Sequence, residues 1–196
     1  DRLIVIGNDK PWKIGFGHVD TEDSLCVYNP ELKVLCAGER SQWTAPNVGN
    51  PYKMQRFALE NAQTLEEMAA RGAEVLCPGH GPVIYGQKEI ENCLLTAARY
   101  LYHIQDHVVA CLNQGKLQEE IIKSLKMPEE LMNSKWLPPI YGHPTFVARG
   151  IFKRYAGYYS GNPAELFPPD YADTSAEIMA LAGGPEAVLS RAEALK

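Results

Sequence analysis

A chain of 196 residues with 45% hydrophobic and 22% charged residues has the balance of a globular body with a buried core, which excludes fibrous, repetitive and disordered classes. The formal net charge is −5 and no Lys/Arg cluster is dense enough to follow a phosphate backbone, so nucleic acid is excluded as a partner. No apolar run approaches the ~20 residues of a membrane-spanning helix, and the N-terminus lacks the basic flank and apolar run of a signal peptide, so the chain reads as water-soluble without a membrane partner.

In chain order, short runs rich in Val, Ile, Leu and aromatics predict strands over 3–6, 12–18, 25–28 and 32–36. Asn29-Pro30-Glu31 is the expected turn of a hairpin between the last two. A polar loop over 38–51 follows, longer than most connections and for that reason a candidate for function. Apolar residues at Met54, Phe57, Ala58, Ala62, Leu65, Met68 and Ala69 then fall at helical spacing, predicting a helix over 54–71 stopped by Gly72. A strand over 74–77 runs into Pro78-Gly79-His80-Gly81-Pro82.

Beyond Gly86 the pattern is helical: 87–114 with Gly115 as its stop, 117–125, a short helix opened by Pro128, 144–158, 174–181 stopped by Gly183-Gly184, and 185–195. The switch near residue 88 divides the chain into an α/β part, 1–87, and an all-helical part, 88–196. The five cysteines, Cys26, Cys36, Cys77, Cys93 and Cys111, form no CxxC pair and sit among apolar neighbours, so they are expected to be reduced and buried. Reduced cysteines favour a cytoplasmic setting, whereas a signal upstream of Asp1 would direct the protein to the periplasm.

Three segments place acidic or imidazole groups after predicted strands, where open α/β sheets hold ligands: His18-Val19-Asp20-Thr21-Glu22-Asp23, Gly38-Glu39, and Gly79-His80-Gly81. Carboxylate and imidazole together suit a divalent metal. Residues 20–23 taken alone read better as an acidic turn or helix cap than as a ligand set, and Glu39 alone reads as an exposed side chain. His80 stands out because a packing histidine does not need a glycine on each side. His103 and His107 share a helical face at the spacing of a zinc pair, although a solvated face is the simpler reading.

The order of these segments resembles the second half of the metallo-β-lactamase superfamily. The strand pair ending in Cys36-Ala37-Gly38-Glu39 matches the family's bridging-carboxylate motif, and Val75 to Pro82 its Pro-Gly-His-Gly-Pro turn. Tyr141-Gly142 and the run from Val147 to Pro168, with Arg154-Tyr155-Ala156-Gly157 and Gly161-Asn162-Pro163-Ala164, are similar to the dimerisation domain of alkyl sulfatases. Those enzymes also carry glutamate for the bridging aspartate and an acidic residue for the earlier histidine, as Glu39 and Asp20 do here.

The resemblance implies the C-terminal half of an αββα sandwich followed by an all-helical dimerisation region. It implies Asp20, Glu39 and His80 as catalytic metal ligands, with His18 as the alternative to Asp20 in a longer loop. It further implies two zinc ions per full-length chain, with manganese or iron as substitutes, water activated to attack an ester-type bond of a small molecule, and a homodimer or higher self-association. The family's His-x-His-x-Asp-His motif is absent, since histidines occur only at 18, 80, 103, 107 and 143. The chain is therefore read as an internal fragment, with catalysis expected of the longer protein; the alternative is a non-catalytic scaffold for self-association. The family's sulfate-holding arginine and Ser-His-Asn triplet are replaced by Pro138 and Thr145-Phe146-Val147, which leaves Arg149 and Tyr155 as candidates to bind substrate or to pack helices.

Overall fold

The computed structural model describes residues 2–6, 10–19 and 21–196. They divide into two compact units, 1–158 and 159–196. In the first, six strands form one sheet in sequence order: β1 (Arg2–Ile6), β2 (Lys10–Gly17), β3 (Ser24–Asn29), β4 (Val34–Gln42), β5 (Val75–His80) and β6 (Ile84–Tyr85). All neighbours are antiparallel except β4 and β5, which are parallel and joined through helix α1 (Ala58–Ala69). The β3–β4 turn forms as its sequence predicts. Asn29 Oδ1 accepts from the backbone N–H groups of Glu31 and Leu32 at 3.0 and 2.9 Å, and Lys33 closes the turn at φ 52°.

The long helix α2 (Gln87–Asn113) packs beside α1, and α3 (Gln118–Ser124), α4 (Glu129–Met132) and α5 (Pro144–Ala156) complete the unit. One continuous core joins the inward positions Leu35, Ala37 and Leu76 of the sheet to Leu65 and Met68 of α1, Leu94, Leu101 and Ile104 of α2, and Val147 and Ile151 of α5. Each Leu, Ile, Val or Met among them contributes ~1.5–3 kcal/mol by leaving water. The strand-to-helix switch near residue 88 thus falls inside the first unit, because α2 shares its core with β4, β5 and α1.

The sheet has helices on one face only among the described residues. On the other, register aligns Phe16 with Leu25 and Val27 with Cys36, and Cys36 with Cys77. Phe16 and Leu25 are 60% and 46% exposed, an apolar stripe of the kind that a second layer would cover.

Several boundaries differ from expectation for local reasons. Helix α1 begins at Ala58 instead of 54 because the preceding chain is extended: Phe57 has φ −118°, and the Gln55 side-chain amide donates to the Gly150 carbonyl at 3.0 Å. Strand β4 continues six residues past Cys36 through irregular pairing with β5.

In the second unit, helix α6 (Tyr171–Leu181) starts three residues earlier than predicted because Asp170 caps it, accepting from Ala172 N–H at 2.7 Å. Helix α7 (Pro185–Glu193) follows Gly184, and no residue of α6 or α7 is buried. No helix among the described residues is long and apolar enough to cross a membrane.

Candidate active site

Glu39 lies three residues before the end of β4, and His80 is the last residue of its parallel neighbour β5. The pairing register shifts between Cys36 and Gly38 and again between Gly38 and Gln42. A Cβ on Gly79 would lie 2.5 Å from the Gly38 carbonyl oxygen. One on Gly81, which has φ 102°, would lie 2.8 Å from the Trp43 Cβ. The glycines around His80 are therefore required by the close approach of two backbones as well as by the turn itself.

This approach brings the two side chains together. His80 Nε2 lies 3.1 Å from the Glu39 carboxylate, and Gln42 Nε2 donates to Glu39 Oε2 at 3.2 Å. The Trp43 N–H donates to the His80 carbonyl at 3.1 Å. Both side chains face a cavity of about 570 Å³ whose wall includes Trp43, Asn47, Lys53, Arg56, Ile140 and Tyr141.

The cavity wall is anchored to the helical segments. The Trp43 indole donates to the Lys135 carbonyl at 2.8 Å and its ring packs on Trp136 with centroids 5.0 Å apart. Thr44 donates to the Pro138 carbonyl at 3.0 Å, and the Arg56 guanidinium donates to the Asn47 carbonyl. The neighbour of Glu39 points elsewhere: Arg40 is 3% exposed and donates to the Ser24 carbonyl at 2.5 Å and to Cys26 Sγ at 3.4 Å. Burial pulls its guanidinium below the usual range, opposed by Cys26.

The other residues singled out by sequence fall in different places. Asp20 lies outside the described residues. His18 is exposed and meets Phe57 edge-on with centroids 5.3 Å apart, away from the cavity that Glu39 and His80 line. Arg149 donates to Gln118 and Glu119 at 2.8 and 3.3 Å, and the Tyr155 hydroxyl accepts from Gln105 at 2.9 Å; neither lines that cavity. Among the described residues, no three or more His, Cys, Asp or Glu side chains are grouped to hold a metal.

His103 and His107 do share a face of α2, but each reaches a backbone carbonyl near the end of α3: His103 Nε2 lies 2.8 Å from Lys126 O and His107 Nε2 3.0 Å from Ile121 O. Their spacing sets the two imidazoles against the carbonyls of Ile121 in α3 and Lys126 in the segment after it, each ring N–H donating to a backbone oxygen. Tyr141 is marked in the sequence only by the Tyr141-Gly142 step of the resemblance, while Trp43, Asn47, Lys53 and Arg56 carry no motif of their own. For these four the only sequence signal is the unusual length of the loop that contains Trp43 and Asn47.

Residues 117–196 match the family model for alkyl sulfatase dimerisation. The chain is 28% identical over 187 residues to a linear primary-alkylsulfatase of Pseudomonas sp., a match covering 92% of this chain and 35% of that protein. It is 30% identical over 184 residues to the alkyl/aryl-sulfatase BDS1 of Saccharomyces cerevisiae, covering 88% and 27%. Its fold is that of the stereoselective inverting sec-alkylsulfatase Pisa1 from Pseudomonas sp., with a TM-score of 0.83 at 24% identity over 98% of this chain and 31% of that one. The chain thus spans about a third of the length of these relatives.

Proposed function

We propose that this chain, whose homologues are alkylsulfatases, is the part of a metal-dependent hydrolase that supplies one side of the catalytic cavity together with a self-association region. The observation that carries the reading is the Glu39–His80 pair, held 3.1 Å apart near the ends of two parallel strands and open to one cavity.

The pair fits two ligands of a borderline divalent ion: one hard oxygen donor and one imidazole, each reachable from the same open space. Asp20 and histidines of a longer polypeptide would complete the set. A bound zinc-type ion supplies Lewis-acid polarisation and water acidified toward neutrality. Gln42 orients the carboxylate by donating to Oε2. Lys53 and Arg56 place positive charge on the cavity wall, where a sulfate ester's oxygens would be held by charge-assisted hydrogen bonds. Trp43, Ile140 and Tyr141 offer apolar surface to the substrate's hydrocarbon part.

The self-association part of the reading is supported by residues 117–196 matching a dimerisation family, and by the apolar side chains that α6 and α7 expose, with Tyr171, Leu181 and Leu189 at 91%, 87% and 64%. Elemental analysis of the intact protein, combined with hydrolysis assays on alkyl sulfate, carboxylic ester and lactone substrates, tests the catalytic part. Bound zinc, manganese or iron and turnover of a sulfate ester are expected, with turnover lost in Glu39→Gln and His80→Ala. Unchanged turnover in both variants overturns it.

A further inference from the structure

We propose that Arg40 is a positioning residue whose buried guanidinium fastens the loop over 18–23, which carries Asp20 in sequence, to the strand that carries Glu39. That role deepens the hydrolase reading and rests on it for the ion the loop would serve. The β3–β4 ladder pairs Asn29 with Val34, Tyr28 with Leu35 and Val27 with Cys36, and among the described residues goes no further. Strand β3 nevertheless begins at Ser24, and β4 runs on to Gln42. Beyond the ladder a side chain makes the connection: Arg40 donates to the Ser24 carbonyl at 2.5 Å and to Cys26 Sγ at 3.4 Å.

Both ends of the loop meet this guanidinium. Ser24 is the register partner of Gly17, the last rung of the β2–β3 hairpin before the loop. A Cβ on Gly17 would lie 3.0 Å from Arg40 Nη2 and 2.8 Å from Thr64 Oγ1, so the glycine leaves the room that the guanidinium fills. Val19 is 3% exposed and lines one small cavity with Glu39 and Arg40. The loop also braces itself, with the Val19 N–H donating to the Thr21 carbonyl at 3.1 Å and the Thr21 hydroxyl to Asp23 at 2.7 Å. With its interior braced, the loop's placement is set at its stem, where Arg40 acts.

An apolar side chain could fill the same space without burying a charge. Apolar contact is non-directional, whereas a guanidinium with aimed donors fixes where its acceptors stand. The Glu39-Arg40 dipeptide therefore serves the candidate site twice, once as a ligand and once as the anchor of the loop that brings Asp20.

The test compares the intact protein with its Arg40→Met, Arg40→Lys and Gly17→Ala variants, by amide hydrogen exchange without metal and by zinc affinity in competition with a chelator. Amides of 18–24 are expected to exchange about tenfold faster in Arg40→Met and Gly17→Ala, those of α2 to be unchanged, and Arg40→Lys to lie between. The zinc Kd is expected to rise about 10–100-fold in Arg40→Met, the usual effect of losing a group that supports a ligand. A merely structural role would instead speed exchange throughout the first unit. The proposal is overturned if amides of 18–24 keep their unaltered rate in the variants that fold, if exchange rises uniformly, or if a zinc affinity present in the unaltered protein survives Arg40→Met unchanged. Absence of zinc binding by the unaltered protein would defeat the hydrolase reading, and exchange alone would then decide whether Arg40 holds the loop. Gly17→Ala crowds the guanidinium without removing it, so the outcome is still read where Arg40→Met fails to fold.

Discussion

Arg154 of α5 grips Glu60 of α1 with both prongs of its guanidinium, Nη1 to Oε2 and Nη2 to Oε1, each at 2.5 Å. The same guanidinium lies 5.0 Å from the Phe57 ring centre, so one side chain clamps the start of α1 to the last turn of α5.

Removing the clamp is expected to make stability less dependent on acid. The hydrogen bond from Arg154 holds the Glu60 carboxyl below its usual range, against the opposing effect of burial. A depressed carboxyl stabilises the fold above its unfolded value of ~4.3, and that contribution disappears as pH falls through the folded value. Arg154→Met should lower stability near neutrality and change it little in strong acid. A double-mutant cycle with Glu60→Gln should give a coupling of about 1 kcal/mol, read by urea unfolding.

Substitution at the glycines beside His80 should separate steric cost from backbone cost. Gly81→Ala adds a Cβ where Trp43 already stands and at a positive φ, whereas Gly86→Ala meets a positive φ with open space around it. Urea titration is expected to show a loss of about 1–3 kcal/mol for Gly81→Ala and a smaller one for Gly86→Ala. Equal losses would mean that the contact with Trp43 is not what demands the glycine.

His103→Ala and His107→Ala each remove a donor to a carbonyl near the end of α3. Each should destabilise by about 0.5–1.5 kcal/mol without changing the metal content of the intact protein. Thermal unfolding and elemental analysis measure the two effects separately, and a fall in bound metal would restore the zinc-pair reading.

Lys53→Ala should act on substrate capture. Lys53 lines the cavity but does not touch the Glu39–His80 pair by any hydrogen bond or ion pair among the described residues. In steady-state kinetics on an anionic ester, KM is expected to rise about tenfold, the equivalent of one lost charged contact, with kcat nearly unchanged. A fall in kcat with KM constant would assign it a role in the reacting complex instead.

Hydropathy periodicity located β2, β3, α1, α2 and α5, because each buries one face against the core and the burial leaves a regular imprint on the chain. It did not locate β6, whose two residues, Ile84 and Tyr85, are too few for a period. Nor did it extend β4 to Gln42, since Gly38-Glu39-Arg40 carries no alternation and pairs only because β5 lies alongside. Of the site, Glu39 and His80 were legible through the glycines that their turns require. Lys53 and Arg56 were not, because a cavity wall assembled from loops leaves no spacing to read. His103 and His107 illustrate the reverse: a spacing that suggests metal binding is satisfied by two backbone carbonyls contributed by another segment.

The two donors of the candidate site come from a single strand–helix–strand module, while the loop over 43–56 that shapes the cavity hangs between its first strand and its helix. That arrangement separates anchoring from selection. On the hydrolase reading proposed above, replacements in the loop would reshape what the cavity admits while Glu39 and His80 keep their spacing, so selectivity could shift without rebuilding the pair.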